Sequence, residues 1–306
     1  MSNNAGESCM DLGNRSFVIL HSHPEATELI PTQADNDDQL IELWLHGRPV
    51  TTVKAYLADI SKMRRHINKP LRSITLGDLQ GFMDSLTLKP SSVKRKVNAV
   101  KSLFAFGQKL GYTRFDVARP LKIASFRDEL SERILTTDEV HRLLEIERNP
   151  RNRAILFLFY GSGIRVSELA SLKWKHVTPR DSSGQITVFG KGGKTRSILI
   201  PQQTWDALMK IRKSSCDEEP VFRSRKKGQL TACQIWRIVK AAAKKAGLKD
   251  TVSCHWLRHS HASHALDRRA PIHLVQATLG HASIATTGKY LHARPSDSSG
   301  NYLGMD

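Results

Sequence analysis

Four short clusters in the second half of this 306-residue chain carry side chains able to do chemistry. In Gly161-Ser-Gly163-Ile-Arg165-Val-Ser-Glu168-Leu169 two glycines interrupt an apolar run before a helix restarts. An arginine at such a turn is held against the domain body, and Glu168, within one helical turn, is placed to orient its guanidinium. An ordinary structural ion pair has the same signature. Gly190-Lys191-Gly-Gly193-Lys194-Thr195 joins two strand-like runs, 186–189 and 197–200. Its last three residues match the end of a phosphate-binding P-loop, yet the required first glycine falls on Val188 and a strand follows instead of a helix. A hairpin tip presenting Lys191 and Lys194 fits better. The third cluster is His255-Trp-Leu-Arg258-His259, with His261 and His264 close behind. His255 and His259 have the spacing of a zinc-protease helix, but Trp256 stands where that motif needs glutamate. No acidic residue lies between Asp250 and Asp267, so no metal is assigned. Last come Leu279-Gly280-His281 and, nine residues on, Tyr290, which alone reads as a packing or capping residue.

Composition indicates the partner. Lys and Arg number 47 against 29 Asp and Glu, a formal net charge of +18, while 40% hydrophobic residues are enough for a folded core. A polyanion is expected. The four cysteines have no paired spacing, which argues against a disulfide framework and for a reducing compartment. The longest early apolar run, 17–20, is too short for a signal peptide or a membrane span. Cytoplasmic nucleic acid is therefore expected rather than an anionic membrane.

The surrounding pattern suggests the elements that must position these residues. Residues 1–35 are acidic, rich in Ser, Asn and Gly, and read as a flexible tail. Residues 36–118 turn helical and basic: Tyr56, Ile60, Met63 and Ile67 recur at helical spacing, as do Val93, Val97, Val100 and Phe104 on a helix ending near Gly111. That second helix also carries Lys94, Arg95, Lys96 and Lys101, a basic face suited to phosphate contact or simply to solvent. A linker is placed at 119–133. A second basic domain, 134–306, opens with the capping box Thr136-Thr-Asp-Glu139.

Taken together, Arg165 in Gly-Ile-Arg-x-Ser-Glu-Leu, Lys191 on a β-hairpin, His255-x-x-Arg258-His259, Leu-Gly-His281 and Tyr290 stand in the order found in the tyrosine recombinases. The sequence resembles that family, the phage-integrase type and especially its Xer-like members, over residues 134–292. The resemblance implies a mainly α fold with a small β-sheet, in which a helical core-binding domain precedes a mixed α/β catalytic domain. It implies Tyr290 as the nucleophile that forms a 3′-phosphotyrosine and frees a 5′-hydroxyl. Arg165 and Arg258 would clamp the phosphate, His255 would accept the tyrosine proton, and Lys191, with Lys194 as substitute, would protonate the leaving oxygen. His281 would hydrogen-bond the phosphate, and Glu168 and His259 would support these groups. Residues of these types suit phosphoryl transfer, because a guanidinium fork matches two phosphate oxygens and stays charged. A phenol of pKa near 10 needs the site to offset about 4 kcal/mol at pH 7.

No cofactor is implied, since the phosphotyrosine retains the energy of the broken phosphodiester. The expected partners are double-stranded DNA sites and, on two such sites, a homotetramer working through a Holliday junction, with a monomer when free. Two other readings are a type IB topoisomerase, which reseals the same strand, and a silent DNA-binding protein. One departure is the breaker-rich stretch after Tyr290, which argues against a C-terminal helix docking on a neighbour.

Overall fold

The structure, a computed structural model, describes residues 33–123, 129–190, 193–213 and 215–293. The expected acidic tail up to residue 32, the middle of the linker, Lys191 and the stretch from 294 onward lie outside the described residues. The chain divides between residues 126 and 127 into two units.

The first unit is a helical bundle of α1 (Asp37–Leu45), α2 (Val50–Ile67), α3 (Leu76–Asp84) and α4 (Pro90–Lys109). Local chemistry sets the ends of these helices. Asn36 caps α1, Thr75 and Asp78 form a reciprocal capping box on α3, and Pro90 opens α4 at the position where a missing N–H costs nothing. Gly111, at φ 70°, turns the chain out of α4 as the sequence suggested. The two apolar stripes meet in a core of Ile60, Met63, Val97, Val100 and Phe104, joined by Leu40, Trp44, Leu79 and Phe82.

The basic face of α4 is only partly a solvent face. Asp59 of α2 is buried, and a buried carboxylate must be paired. Lys96 and Arg95 both hydrogen-bond it, which corrects the reading of Lys96 as a DNA contact: its ammonium is buried on Asp59. Lys101 donates to the carbonyl of Leu121 at 2.9 Å, and buried Leu121 keeps the first linker residues on this unit. Lys94 is exposed.

The second unit contains α5 (Thr137–Ile146), α6 (Pro150–Ser162), α7 (Val166–Ala170), β1 (Val177–Arg180), β2 (Ser183–Phe189), β3 (Thr195–Ile200), α8 (Gln202–Met209), α9 (Ala232–Lys245), α10 (Cys254–Asp267), α11 (Ile272–Leu279) and α12 (Ile284–Ala293). The expected Thr136–Glu139 capping box is present. The strands form an antiparallel meander in the order β1-β2-β3, with Val177 opposite Ile186 and Phe189 opposite Thr195. Ile186 and Val188 of β2 and Ile198 and Ile200 of β3 turn inward onto α6, whose Ile155, Leu158 and Phe159 occupy the centre of the core. A smaller cluster of Ile134, Ala262, Leu266, Val275 and Leu279 closes around Tyr290. The fold is thus mainly α with one small sheet. Among the described residues, no helix is long and apolar enough to cross a membrane.

Candidate active site

The site grows from the ends of helices. Gly163 caps α6 in the left-handed region at φ 60°, and a Cβ there would meet Leu279 at 2.6 Å and His261 at 2.8 Å, so only glycine fits. Buried Ile164 then anchors the turn, and Arg165 becomes the N-cap of α7. Its backbone N–H donates to Oε2 of Glu168 at 2.9 Å while its Nη1 donates to Oε1 at 2.9 Å. The guanidinium therefore has a fixed azimuth, and Nη2 reaches the carbonyl of Gly280 at 3.1 Å.

Arg258 comes from the first turns of α10 and is buried. It donates from Nη1 to the carbonyl of Gly163 and from Nη2 to that of Leu279 at 2.7 Å. Both arginines thus satisfy carbonyls left open at the C-terminal ends of α6 and α11, where the helix dipole favours a cation. Burial, then the neighbouring Arg165, lowers Arg258 to about 10, which leaves it protonated at neutral pH.

Glu168 is held by more than the sequence suggested. Arg196 of β3 donates from both terminal nitrogens to its two oxygens at 2.9 and 2.8 Å, and from Nε to the carbonyl of Thr278 at 2.8 Å. Burial alone would raise the Glu168 carboxyl, but the hydrogen bonds from Arg196 and Arg165 outweigh it and hold the group at about 2. Arg196 also fills the space over Gly280, where a Cβ would come within 3.0 Å of its guanidinium. Sequence reasoning passed over this residue. The available signal was its phase: Arg196, Ile198 and Ile200 share one face of β3, so a charge stands in line with two core residues.

The turn from α11 to α12 places His281, whose Nδ1 lies 2.9 Å from the hydroxyl of buried Thr287. Tyr290 follows one turn later on α12, only 4% exposed, its ring nearly parallel to that of His281 with centroids 6.4 Å apart. Its hydroxyl is 2.8 Å from Nδ1 of His259. His259, expected as a supporting residue, thus holds the tyrosine hydroxyl, and His255 lies one helical turn away with ring centroids 6.1 Å apart.

Burial and then the local cations set the protonation states. His281 is lowered to about 4 by burial, Arg258, Arg165 and Arg196. His259 falls to about 4 through burial, His255, Arg258, Arg133 and His281, and His255 is lowered by burial, Arg258 and Arg165. Tyr290 is raised by burial, an effect that Arg258 opposes. The site is therefore two fixed guanidiniums, neutral imidazoles and a neutral phenol.

Of the expected residues, Arg165, Glu168, His255, Arg258, His259, His281 and Tyr290 come together here. Lys194 is exposed at the hairpin tip, where its carbonyl accepts from Gly190 at 2.7 Å. Lys191 lies outside the described residues. His261 and His264 are used structurally, against the Tyr160 carbonyl and hydroxyl and the Leu135 carbonyl. Among the described residues, no group of three or more His, Cys, Asp or Glu is placed to hold a metal.

The fold and this constellation define a protein that handles a phosphodiester. Residues 133–297 match the phage integrase family. Tyrosine recombinase XerC of Thermodesulfovibrio yellowstonii is 32% identical over 259 residues, covering 79% of this chain and 85% of the relative. A crystal structure of XerH site-specific recombinase bound to palindromic difH substrate matches with a TM-score of 0.72 at 22% identity, over 88% of this chain and 85% of that one. A lambda integrase tetramer bound to a Holliday junction matches with a TM-score of 0.69 at 21% identity, over 83% and 75%. The chain belongs to the phage integrase family, as an Xer-like tyrosine-type site-specific DNA recombinase.

Proposed function

We propose that this chain cleaves one DNA strand with Tyr290, holds it as a 3′-phosphotyrosine, and rejoins it to a partner strand. The observation that carries the reading is that Tyr290, held by His259, lies close enough to Arg258 to feel its charge, while Arg258 and Arg165 are both fixed by backbone carbonyls. The Oη–P bond forms as the P–O5′ bond breaks, and negative charge grows on the phosphate oxygens. Arg165 and Arg258 meet that charge without reorganising, because Glu168, Gly163, Leu279 and Gly280 already set their geometry. His255, neutral at pH 7, is assigned to accept the Tyr290 proton, and His281, also neutral, hydrogen-bonds the phosphate and is not an extra cation. The alkoxide leaving from the 5′ side needs a proton, and Lys191 is assigned to supply it, with Lys194 as the substitute. A 5′-hydroxyl of a second duplex then attacks the phosphotyrosine and reverses each step.

The net charge of +18 supports DNA binding that reads mostly phosphates, with salt-sensitive affinity. The XerH complex with its difH substrate and the lambda integrase tetramer on a Holliday junction support a DNA substrate and a tetramer that works through such a junction; the proposal adds that the chain is a monomer when free and assembles on two double-stranded sites. The place of action is cytoplasmic DNA, in integration, excision or dimer resolution. No cofactor is required by the chemistry.

The test is covalent capture from nicked genomic fragments by the wild type and by Tyr290→Phe, followed by reaction on a plasmid carrying two copies of the captured site. Tyr290-dependent adducts and exchanged circles support the reading. Site-independent relaxation would make the protein topoisomerase-like, and binding without adducts would make it a silent DNA-binding protein.

A further inference from the structure

We infer that Arg196 is a positioning residue for strand cleavage, locking Arg165, Arg258 and the end of α11 into one rigid unit without itself touching the phosphate. The inference rests on Arg165 and Arg258 being the phosphate clamp and extends that reading to what holds the clamp still. Three consecutive carbonyls at the C-terminal end of α11 each take a different arginine. Arg196 Nε donates to Thr278 at 2.8 Å, Arg258 Nη2 to Leu279 at 2.7 Å and Arg165 Nη2 to Gly280 at 3.1 Å. One helix end thus registers the guanidiniums against one another, although they come from β3, α10 and the N-cap of α7.

Glu168 closes the arrangement from the other side. Its Oε1 accepts from Nη1 of both Arg165 and Arg196, and its Oε2 accepts from the Arg165 backbone N–H and from Arg196 Nη2. A carboxylate offers about four lone-pair positions, so this one is saturated and cannot turn without breaking its bonds. Without Arg196 the carboxylate would be held by Arg165 alone and would swing with it, so the group that aims Arg165 would itself be unaimed. Arg196 also packs over Gly280, and it lies beside Gly190 at the root of the β2–β3 hairpin, where a Cβ would stand 3.8 Å from both Arg196 Nη1 and Glu168 Oε1. Its side chain is 14% exposed against 35% for Arg165, so Arg165 is open to a substrate while Arg196 faces the fold. Displacing a group that stabilises transition-state charge by about 1 Å can cost about 100-fold in rate.

The test uses the full chain on a nicked DNA site identified by covalent capture, where adducts accumulate and slow rates can be read. Single-turnover reactions at saturating protein separate the rate constant, which a misaimed clamp lowers, from the amplitude, which poor folding lowers. Arg196→Met keeps an unbranched stem and removes every donor. Combining it with Glu168→Gln also removes the charge left buried on a single side-chain partner, and so restores stability that the single variant loses. Both proteins should show a rate constant about 100-fold below wild type at full amplitude, with DNA affinity within about threefold. In an Arg165→Lys background, where the clamp is already unaimed, adding Arg196→Met should cost less than about threefold, because two changes acting through one group are not additive. A wild-type rate constant in either protein, with only amplitude lost, would overturn the inference and leave Arg196 as a stabiliser of the fold. So would a further loss of about 100-fold on top of Arg165→Lys, which would mean that Arg196 acts without Arg165. Arg165→Lys alone isolates the underlying reading, since cleavage by that variant at the wild-type rate would dismiss Arg165 from the clamp whatever Arg196 does.

Discussion

Replacing Glu168 by glutamine keeps the shape of the side chain and removes the charge that Arg165 and Arg196 share. The native carboxyl is buried yet held at about 2 against an ordinary 4.5, so folding favours its ionised form. At about 1.4 kcal/mol per pKa unit this linkage is worth about 3 kcal/mol. The sign follows from a folded pKa below the unfolded one: the stabilisation is complete above about 4.5 and is lost as pH falls toward about 2. Glu168→Gln should therefore lower stability by about 3 kcal/mol at pH 7, or roughly 6–12 °C in Tm for a unit of this size. The gap from wild type should narrow as pH is lowered from 5 to 3. Urea unfolding followed by tryptophan fluorescence measures it, since Trp174, Trp205 and Trp256 all lie in this unit. Strand cleavage should fall in parallel, because Arg165 loses the carboxylate that sets its direction. A gap of the same size at every pH would refute the reasoning, since it would mean that packing and not charge carries the effect.

Three other outcomes follow from the same geometry. Lys191→Ala should slow cleavage of ordinary DNA far more than cleavage of a substrate with a 5′-bridging sulfur, which leaves without a proton; equal losses would remove Lys191 from the acid role. Lys94→Ala should weaken DNA binding across sequences and flatten its salt dependence, measured as the slope of log K against log salt, by up to about one unit. Lys96→Ala should instead destabilise the first unit by about 1–3 kcal/mol, because it removes one of two cations from buried Asp59, and should show this in urea unfolding with little change in salt slope.

The elements that position the site could be read from the sequence wherever periodicity and punctuation agreed. The stripes of α2 and α4, the Thr136 capping box, the β2–β3 hairpin and the glycines at 111 and 163 all have local causes, and the structure contains them. Strand β1 escaped notice because Val177-Thr-Pro-Arg180 is a short edge strand that buries only its first residue. The misplacements share a cause, which is that an ion pair depends on residues distant in sequence. Lys96 looked like a surface charge until Asp59, 37 residues earlier, took it inward. Arg196 joins Glu168 across 28 residues and Thr278 across 82. The choice between His255 and His259 as partner of Tyr290 turned on where α12 crosses α10, a matter of tertiary packing that spacing within one helix does not encode.

The most direct test of the central claim is to identify the residue that becomes linked to DNA. A nicked site traps the cleaved complex, protease digestion reduces the protein to a single DNA-bound peptide, and mass spectrometry of that peptide locates the bond. The account predicts one linkage, from the phenolic oxygen of Tyr290 to a 3′-phosphate, with a free 5′-hydroxyl on the released strand. A link through any other residue, or to a 5′-phosphate, would contradict it.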